Sequence, residues 1–148
     1  MYRKIFPVAL LALCAVLPEF AKADVSFNVG ATTDYRYRGI SQTSLKPAVQ
    51  AGADYTQGGF YLGAWGSTIK WIKDLGTIGG TDVGSSNLEV DVYGGYKGEI
   101  GKDFTYDVGA LAYVYPGSKL NRLSPFFKSA DTTEIYGALT YGPATLKY

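Results

Sequence analysis

The chain has no histidine and a single cysteine, Cys14. The missing histidine removes the commonest general base and metal ligand. A hydrolase nucleophile needs such a base beside it, so the composition argues against an enzyme, and neither a cofactor nor a metal is expected. One cysteine cannot build a disulfide framework. An excess of one charge is lacking too: 14 basic residues stand against 13 acidic ones. No basic patch points to nucleic acid. Past residue 23 no apolar run approaches the roughly 20 residues of a membrane-crossing helix, so any crossing would have to be made by strands.

The first 23 residues read as a leader. Arg3 and Lys4 form a basic start, and Ile5 to Leu17 is an apolar stretch broken by Pro7. Ala21-Lys22-Ala23 is a small-x-small cleavage site, which places the mature start at Asp24. Cys14 lies inside the leader and follows Leu13 rather than a small residue, which argues against a lipoprotein. The leader holds Arg3, Lys4, Lys22 and Glu19, so about 125 mature residues carry 11 basic and 12 acidic side chains. Export without disulfides suits a Gram-negative envelope protein.

Glycine and tyrosine are abundant, at 19 and 13 residues. From Val25 to Arg38, the residues Val25, Phe27, Val29, Ala31, Thr33, Tyr35 and Tyr37 alternate with Ser26, Asn28, Gly30, Thr32, Asp34, Arg36 and Arg38. Successive strand side chains point to opposite faces, so this is a strand with one apolar and one polar face. Further strands are expected at Ala48–Tyr55, Phe60–Thr68, Leu88–Tyr96, Phe104–Tyr115, Thr133–Tyr141 and Ala144–Tyr148. The parity of the third is ambiguous. The connections alternate: 39–47, 70–86 and 116–132 are longer, whereas 56–59, 97–103 and 142–143 are short. Asp74 and Asp82 stand in the Gly-rich 70–86 segment, but no ladder of calcium ligands accompanies them, so that segment reads as a loop.

Outer-membrane barrels have short periplasmic turns and long outer loops. The expected fold is therefore all-β: an antiparallel up-and-down transmembrane β-barrel over residues 24–148, after a signal peptide over 1–23. Bacterial single-chain barrels have an even strand number. Seven strands imply either a hidden strand in 70–86 or an N-terminal portion of a longer barrel, and the latter is preferred. Tyr35, Tyr37, Tyr55, Phe60, Tyr96, Phe104 and Tyr141 read as interfacial aromatics. On the polar parity stand Asp34, Arg36, Arg38, Asp54, Glu89, Asp91, Asp107 and Glu134, the pore-lining candidates. Six acids against two arginines favour cations in a narrow lumen. Arg36 and Arg38 could form a constriction against Asp54 or Glu89, or hold the 39–47 loop down by pairing with carboxylates.

The run Asp34-Tyr35-Arg36-Tyr37-Arg38-Gly39-Ile40-Ser41-Gln42-Thr43 resembles the TorF family of porins, also known as the Gcw_chp family of conserved hypothetical outer-membrane proteins. Pro47-Ala48-Val49-Gln50, Gly59-Phe60-Tyr61-Leu62-Gly63-Ala64-Trp65, Glu89-Val90-Asp91-Val92-Tyr93 with Gly95-Tyr96, Tyr113-Val114-Tyr115-Pro116-Gly117 and Thr133-Glu134-Ile135-Tyr136 extend the resemblance over nearly all the mature chain. It implies an outer-membrane barrel and a pore, and supplies no catalytic site. The expected function is passive diffusion of small polar solutes or ions, with outer-membrane lipid as the surrounding partner and the oligomeric state left open. The alternatives are a closed structural or adhesive barrel acting through its outer loops, whose charges pair inside a packed lumen, and an exported soluble β-domain that binds a small ligand.

Overall fold

The computed structural model describes residues 23–124, 126 and 129–148. The leader expected over 1–23 lies, apart from Ala23, outside the described residues. In chain order the elements are β1 (Asp24–Thr32), β2 (Arg36–Tyr37), β3 (Ile40–Ser41), β4 (Ala48–Gln57), β5 (Phe60–Thr68), α1 (Trp71–Gly79), β6 (Leu88–Ile100), β7 (Phe104–Val114), a 3-10 turn (Leu120–Arg122), β8 (Thr132–Tyr141) and β9 (Ala144–Lys147). Seven strands form one sheet in the order β1-β4-β5-β6-β7-β8-β9, and β2 and β3 form a separate hairpin. Every neighbouring pair is antiparallel.

The sheet is open, with β1 and β9 at its edges, so these seven strands do not by themselves close the expected barrel. The reason is directional. Seven strands that alternate in sense leave β1 and β9 running the same way, so they cannot pair antiparallel with each other.

Register carries one parity through the whole sheet. Val29 pairs with Ala51, Ala51 with Gly66, Gly66 with Val90 and Val90 with Val114. On the other face, Asn28 pairs with Gly52, Gly52 with Trp65, Trp65 with Asp91 and Asp91 with Tyr113. This settles the ambiguous β5: Phe60, Leu62 and Ala64 share the apolar face, and Tyr61, Gly63 and Trp65 the polar one. The apolar face is the bare one. Phe27, Val29 and Ile135 are 80%, 83% and 82% exposed.

Three boundaries differ from the sequence reading, the first being β1, which ends at Thr32 instead of running on to Arg38. The charged stretch taken as a turn over 97–103 continues β6 to Ile100, paired through to Phe104. Its charges alternate with Gly98 and Ile100, so Lys97 and Glu99 stay on the polar face. The segment taken as a loop over 70–86 holds α1, with no hidden strand. Ile72 and Gly76 are buried on one side of that helix, Asp74 lies in its first turn, and Gly80 closes it at φ 61°. A carboxylate in the first turn suits the positive end of the helix dipole.

The apolar core lies at the end of the sheet that carries the long connections. Ile69, Ile72, Val83 and Leu120 form it, with Tyr35, Trp71, Leu75, Tyr115, Leu123 and Ala130 packed around it. The 83–84 and 118–119 segments are tied together by the Gly84–Ser118 bridge and by the Lys119 amide donating to the Val83 carbonyl at 2.7 Å. Three connections that were expected to be separate loops thus pack as one cap.

The opposite end has short turns and an aromatic rim. Phe60 pairs with Tyr96, the Tyr96 and Tyr106 rings stack at 6.4 Å, and Phe104 lies 4.8 Å from Tyr141. Tyr35 and Tyr37, grouped with these aromatics from the sequence, are instead turned to the polar side. Tyr35 meets Trp65 edge-on at 5.5 Å, and Tyr37 meets Tyr113 at 6.1 Å.

On the polar face, tyrosines lie across glycines of the neighbouring strand. Tyr61 pairs with Gly95, Tyr93 with Gly63 and Tyr136 with Gly109. A Cβ at Gly63 would collide with the Tyr93 ring, whereas one at Gly30 would meet open space. Overpacking of this kind costs about 1–3 kcal/mol. Gly63→Ala should therefore lower the unfolding free energy of the refolded protein by that amount, read from denaturant melts, and Gly30→Ala should leave it almost unchanged.

Candidate functional site

The polar face is the one part of the sheet where charge, hydroxyl groups and an opening coincide. Asp54, Glu89, Asp91, Asp107 and Glu134 all lie on it, on β4, β6, β6, β7 and β8. Tyrosines donate to three of these carboxylates, two of them by reaching across glycines. Tyr93 donates to Asp54 at 2.6 Å and Tyr61 to Asp107 at 2.6 Å. Tyr35 donates to Glu89 at 2.6 Å from outside the sheet. Tyr61, coming from β5 across β6, also meets the hydroxyl of Tyr136, coming from β8 across β7. A hydrogen bond to an ionised acceptor is roughly twice as strong as a neutral one, so these contacts fix the rings flat on the sheet.

The cations sequence reasoning missed are Lys97 and Lys147. Lys97 pairs with Asp107 at 3.8 Å and sits 4.9 Å from the centre of the Tyr61 ring. Lys147 lies 4.4 Å over Tyr136. The signal for Lys97 was available: the two-residue alternation of β6 runs on through Lys97, Gly98, Glu99 and Ile100. Asp91 differs from its neighbours. Its Oδ1 is buried and has no hydrogen-bond partner among the described residues. Glu89, two residues away on the same face, is only 2% exposed.

Asp34, Arg36 and Arg38 are not on the polar parity of the first strand, because β1 stops at Thr32. They belong to a strap, residues 34–43, that turns back over the polar face. Its hairpin pairs Arg36 with Ser41 and Tyr37 with Ile40. The two central residues, Arg38 and Gly39, have positive φ (49° and 84°), the signature of a type I′ turn. At the base, Asp34 accepts from Ser41 at 2.5 Å and from Thr43 at 3.1 Å, and pairs with Arg36 at 2.6 Å. Arg36 therefore serves the strap itself. Arg38 reaches Glu134 at 3.8 Å, rather than Asp54 or Glu89.

Tyr37, Arg38, Tyr93, Tyr113, Glu134 and Tyr136 line a cavity of about 1000 Å³ between strap and sheet, together with Leu111, Ile135, Lys147 and Tyr148. The other two acids named from the sequence lie in the cap. The Asp74 carboxylate accepts from Ser44, and Asp82 pairs with Arg122 at 3.1 Å. Each ties two segments of the cap together, and among the described residues no group of acids forms a metal site.

A family model described as "Bacterial protein of unknown function (Gcw_chp)" matches residues 20–148. The chain belongs to the Gcw_chp family. No curated protein and no solved structure matches it. Membership of Gcw_chp brings no activity with it and no support for the TorF or porin name, so function has to be argued from the geometry.

The Ser41 hydroxyl at Asp34 holds its carboxyl below the ordinary value of 3.8, against the opposing effect of burial, and Thr43 and Arg36 act in the same direction. Burial and the Glu89 carboxylate push the Tyr35 phenol well above 10. Tyr115, in the cap, is raised by burial and by the same carboxylate. A group whose folded pKa is depressed stabilises fully above its unfolded value and loses that contribution as pH falls through the folded one. Asp34→Asn should therefore be less stable than the parent at neutral pH, and the difference should close as pH drops below 3.8. Thermal unfolding of both proteins across pH 2–7 checks this.

Proposed function

We propose that this protein is an outer-membrane porin-like channel, in which the apolar face meets lipid and the polar face lines a path for small polar solutes and ions. The observation that carries this reading is the inverted sheet: its apolar parity is bare on seven strands, and its polar parity is covered by tyrosines, strap and cap. Seven strands at about 4.8 Å spacing and a band some 25 Å tall make roughly 800 Å² of contiguous apolar surface. Soluble monomers rarely expose patches beyond about 300–600 Å². Hydrocarbon is the solvent that suits such a surface. Among the described residues no helix is long and apolar enough to cross a membrane.

The aromatic rim at the short-turn end fits an interfacial girdle, and the cap at the long-connection end fits the outside of the cell. Unpaired backbone groups in hydrocarbon cost several kcal/mol each. In a bilayer the free edges of β1 and β9 therefore need pairing partners. The acids of the polar face outnumber Lys97 and Lys147, so the path should prefer cations weakly.

A second reading, a closed structural barrel acting through its outer cap, draws support from the pairing of Asp54, Asp107 and Glu89 with tyrosines. Conductance separates the two. The refolded full-length protein in a planar bilayer under a salt gradient should give stable steps with a cation-preferring reversal potential, and Asp91→Asn should weaken that preference. A membrane-embedded barrel without steps would favour the structural reading.

The placement in lipid has its own test. Arginine on a lipid face at the bilayer midplane costs about 2–4 kcal/mol. Val29→Arg, on the apolar face of β1, should sharply reduce the fraction that resists a carbonate wash. Asn28→Arg, on the polar face next to it, should not.

A further inference from the structure

We infer that the 34–43 strap is the constriction of this path and that Arg38, at its tip, sets the path's ion preference; the inference rests on the channel reading above. Four observations lead to it. The strap is anchored at its base from both sides. The Gln42 amide donates to the Tyr35 carbonyl at 2.7 Å, and the Gln42 carbonyl accepts from Lys70 and Trp71 at 2.8 and 3.2 Å. Its short hairpin is thus held by the start of α1 and cannot swing as a free loop.

The tip lies over the wall. Tyr37 and Tyr113 bring their hydroxyls to 3.4 Å, and Arg38 stands 3.8 Å from Glu134. Tyr37 and Arg38 line the large cavity on one side and a smaller one of about 190 Å³, shared with Glu89 and Tyr115, on the other. The strap therefore stands between two openings of the same face.

Arg38 also occupies a position its backbone disfavours. A φ of 49° is uncommon for any residue but glycine, asparagine or aspartate. Within the turn its guanidinium lies 5.0 Å from the centre of the Tyr37 ring. The other arginine of the hairpin is already satisfied by Asp34 and by the Gly39 carbonyl. Arg38 is left as the strap's cation facing the wall.

The charges then oppose across a gap. Glu89, Asp91 and Glu134 belong to the wall, and Arg38 faces them from the strap. At physiological salt the screening length is about 8 Å, so at 3.8 Å the two charges still feel each other, although water weakens a pair as exposed as this one. Arg38 offsets the acidic wall where the path is narrowest, and it repels passing cations there. Its removal should make the path wider and more selective for cations.

The test uses the full-length protein in a planar bilayer, with the reversal potential read in a KCl gradient. Arg38→Gly keeps the positive φ comfortable, so folding is not at risk, and gel heat-modifiability checks it. Arg38→Gly should raise the cation-over-anion permeability ratio several-fold and enlarge the single-channel step. Arg38→Glu should raise the ratio further, and Arg38→Lys should restore the parent's value. The described residues hold no cysteine, so Arg38→Cys can be titrated from outside. A positively charged thiol reagent should return the ratio towards the parent's, and a negatively charged one should drive it away. If the glycine and glutamate variants conduct with the parent's reversal potential, the strap is not the constriction and the channel reading stands. If the parent itself gives no steps, the channel reading falls and the strap inference with it.

Discussion

The structure depends on one constraint, the two-residue alternation held in register across seven strands. Because the strand period is two, a slip of one residue would bring every Asp, Glu and Lys of a strand to the apolar face and every Val and Phe to the polar one. The register from Val29 to Val114 admits no such slip. Burial on one side usually specifies register in a sheet. Here the polar side does that work, since its carboxylates find tyrosine hydroxyls only in this alignment.

The abundance of glycine and tyrosine has the same origin. A tyrosine on one strand needs room to lie across its neighbour, and a glycine paired directly with it provides that room. Tyr93 crosses Gly63 to reach Asp54, and Tyr61 crosses Gly95 to reach Asp107. Each such contact ties strands that are not adjacent, so the polar face is braced at right angles to its backbone ladder. Lys97 and Lys147 cover the exposed ring faces, an arrangement that supports the charge without exposing it fully.

The cap and the strap form a second level of order. The three long connections share one small core around Ile72, and the strap hangs from it through Gln42. The molecule thus has its dry core at one end and its strands free of any apolar layer. That distribution is the reverse of a soluble sandwich, where the two sheets would cover each other's apolar faces.

Much of the sheet was legible in the sequence, because alternation is a local property and each strand displays it independently. The acids Asp54, Glu89, Asp91, Asp107 and Glu134 were assigned to the polar face from parity alone. Lys97 was lost to a turn because four of the seven residues in 97–103 are charged, and a charged run reads as solvated. The strap was lost because Arg38-Gly39 is a poor turn signal beside Asn-Gly, so Asp34, Arg36 and Arg38 seemed to prolong β1. The helix α1 was hidden by Gly and Thr residues that are weak helix formers and hold their shape only against Val83 and Leu120. Sequence by itself therefore determined which side chains share a face, since that follows from backbone geometry over two residues. Only the tertiary structure decided which tyrosine crosses which glycine, where the strap turns back and which carboxylate Arg38 meets, because those depend on the pairing of segments far apart in the chain.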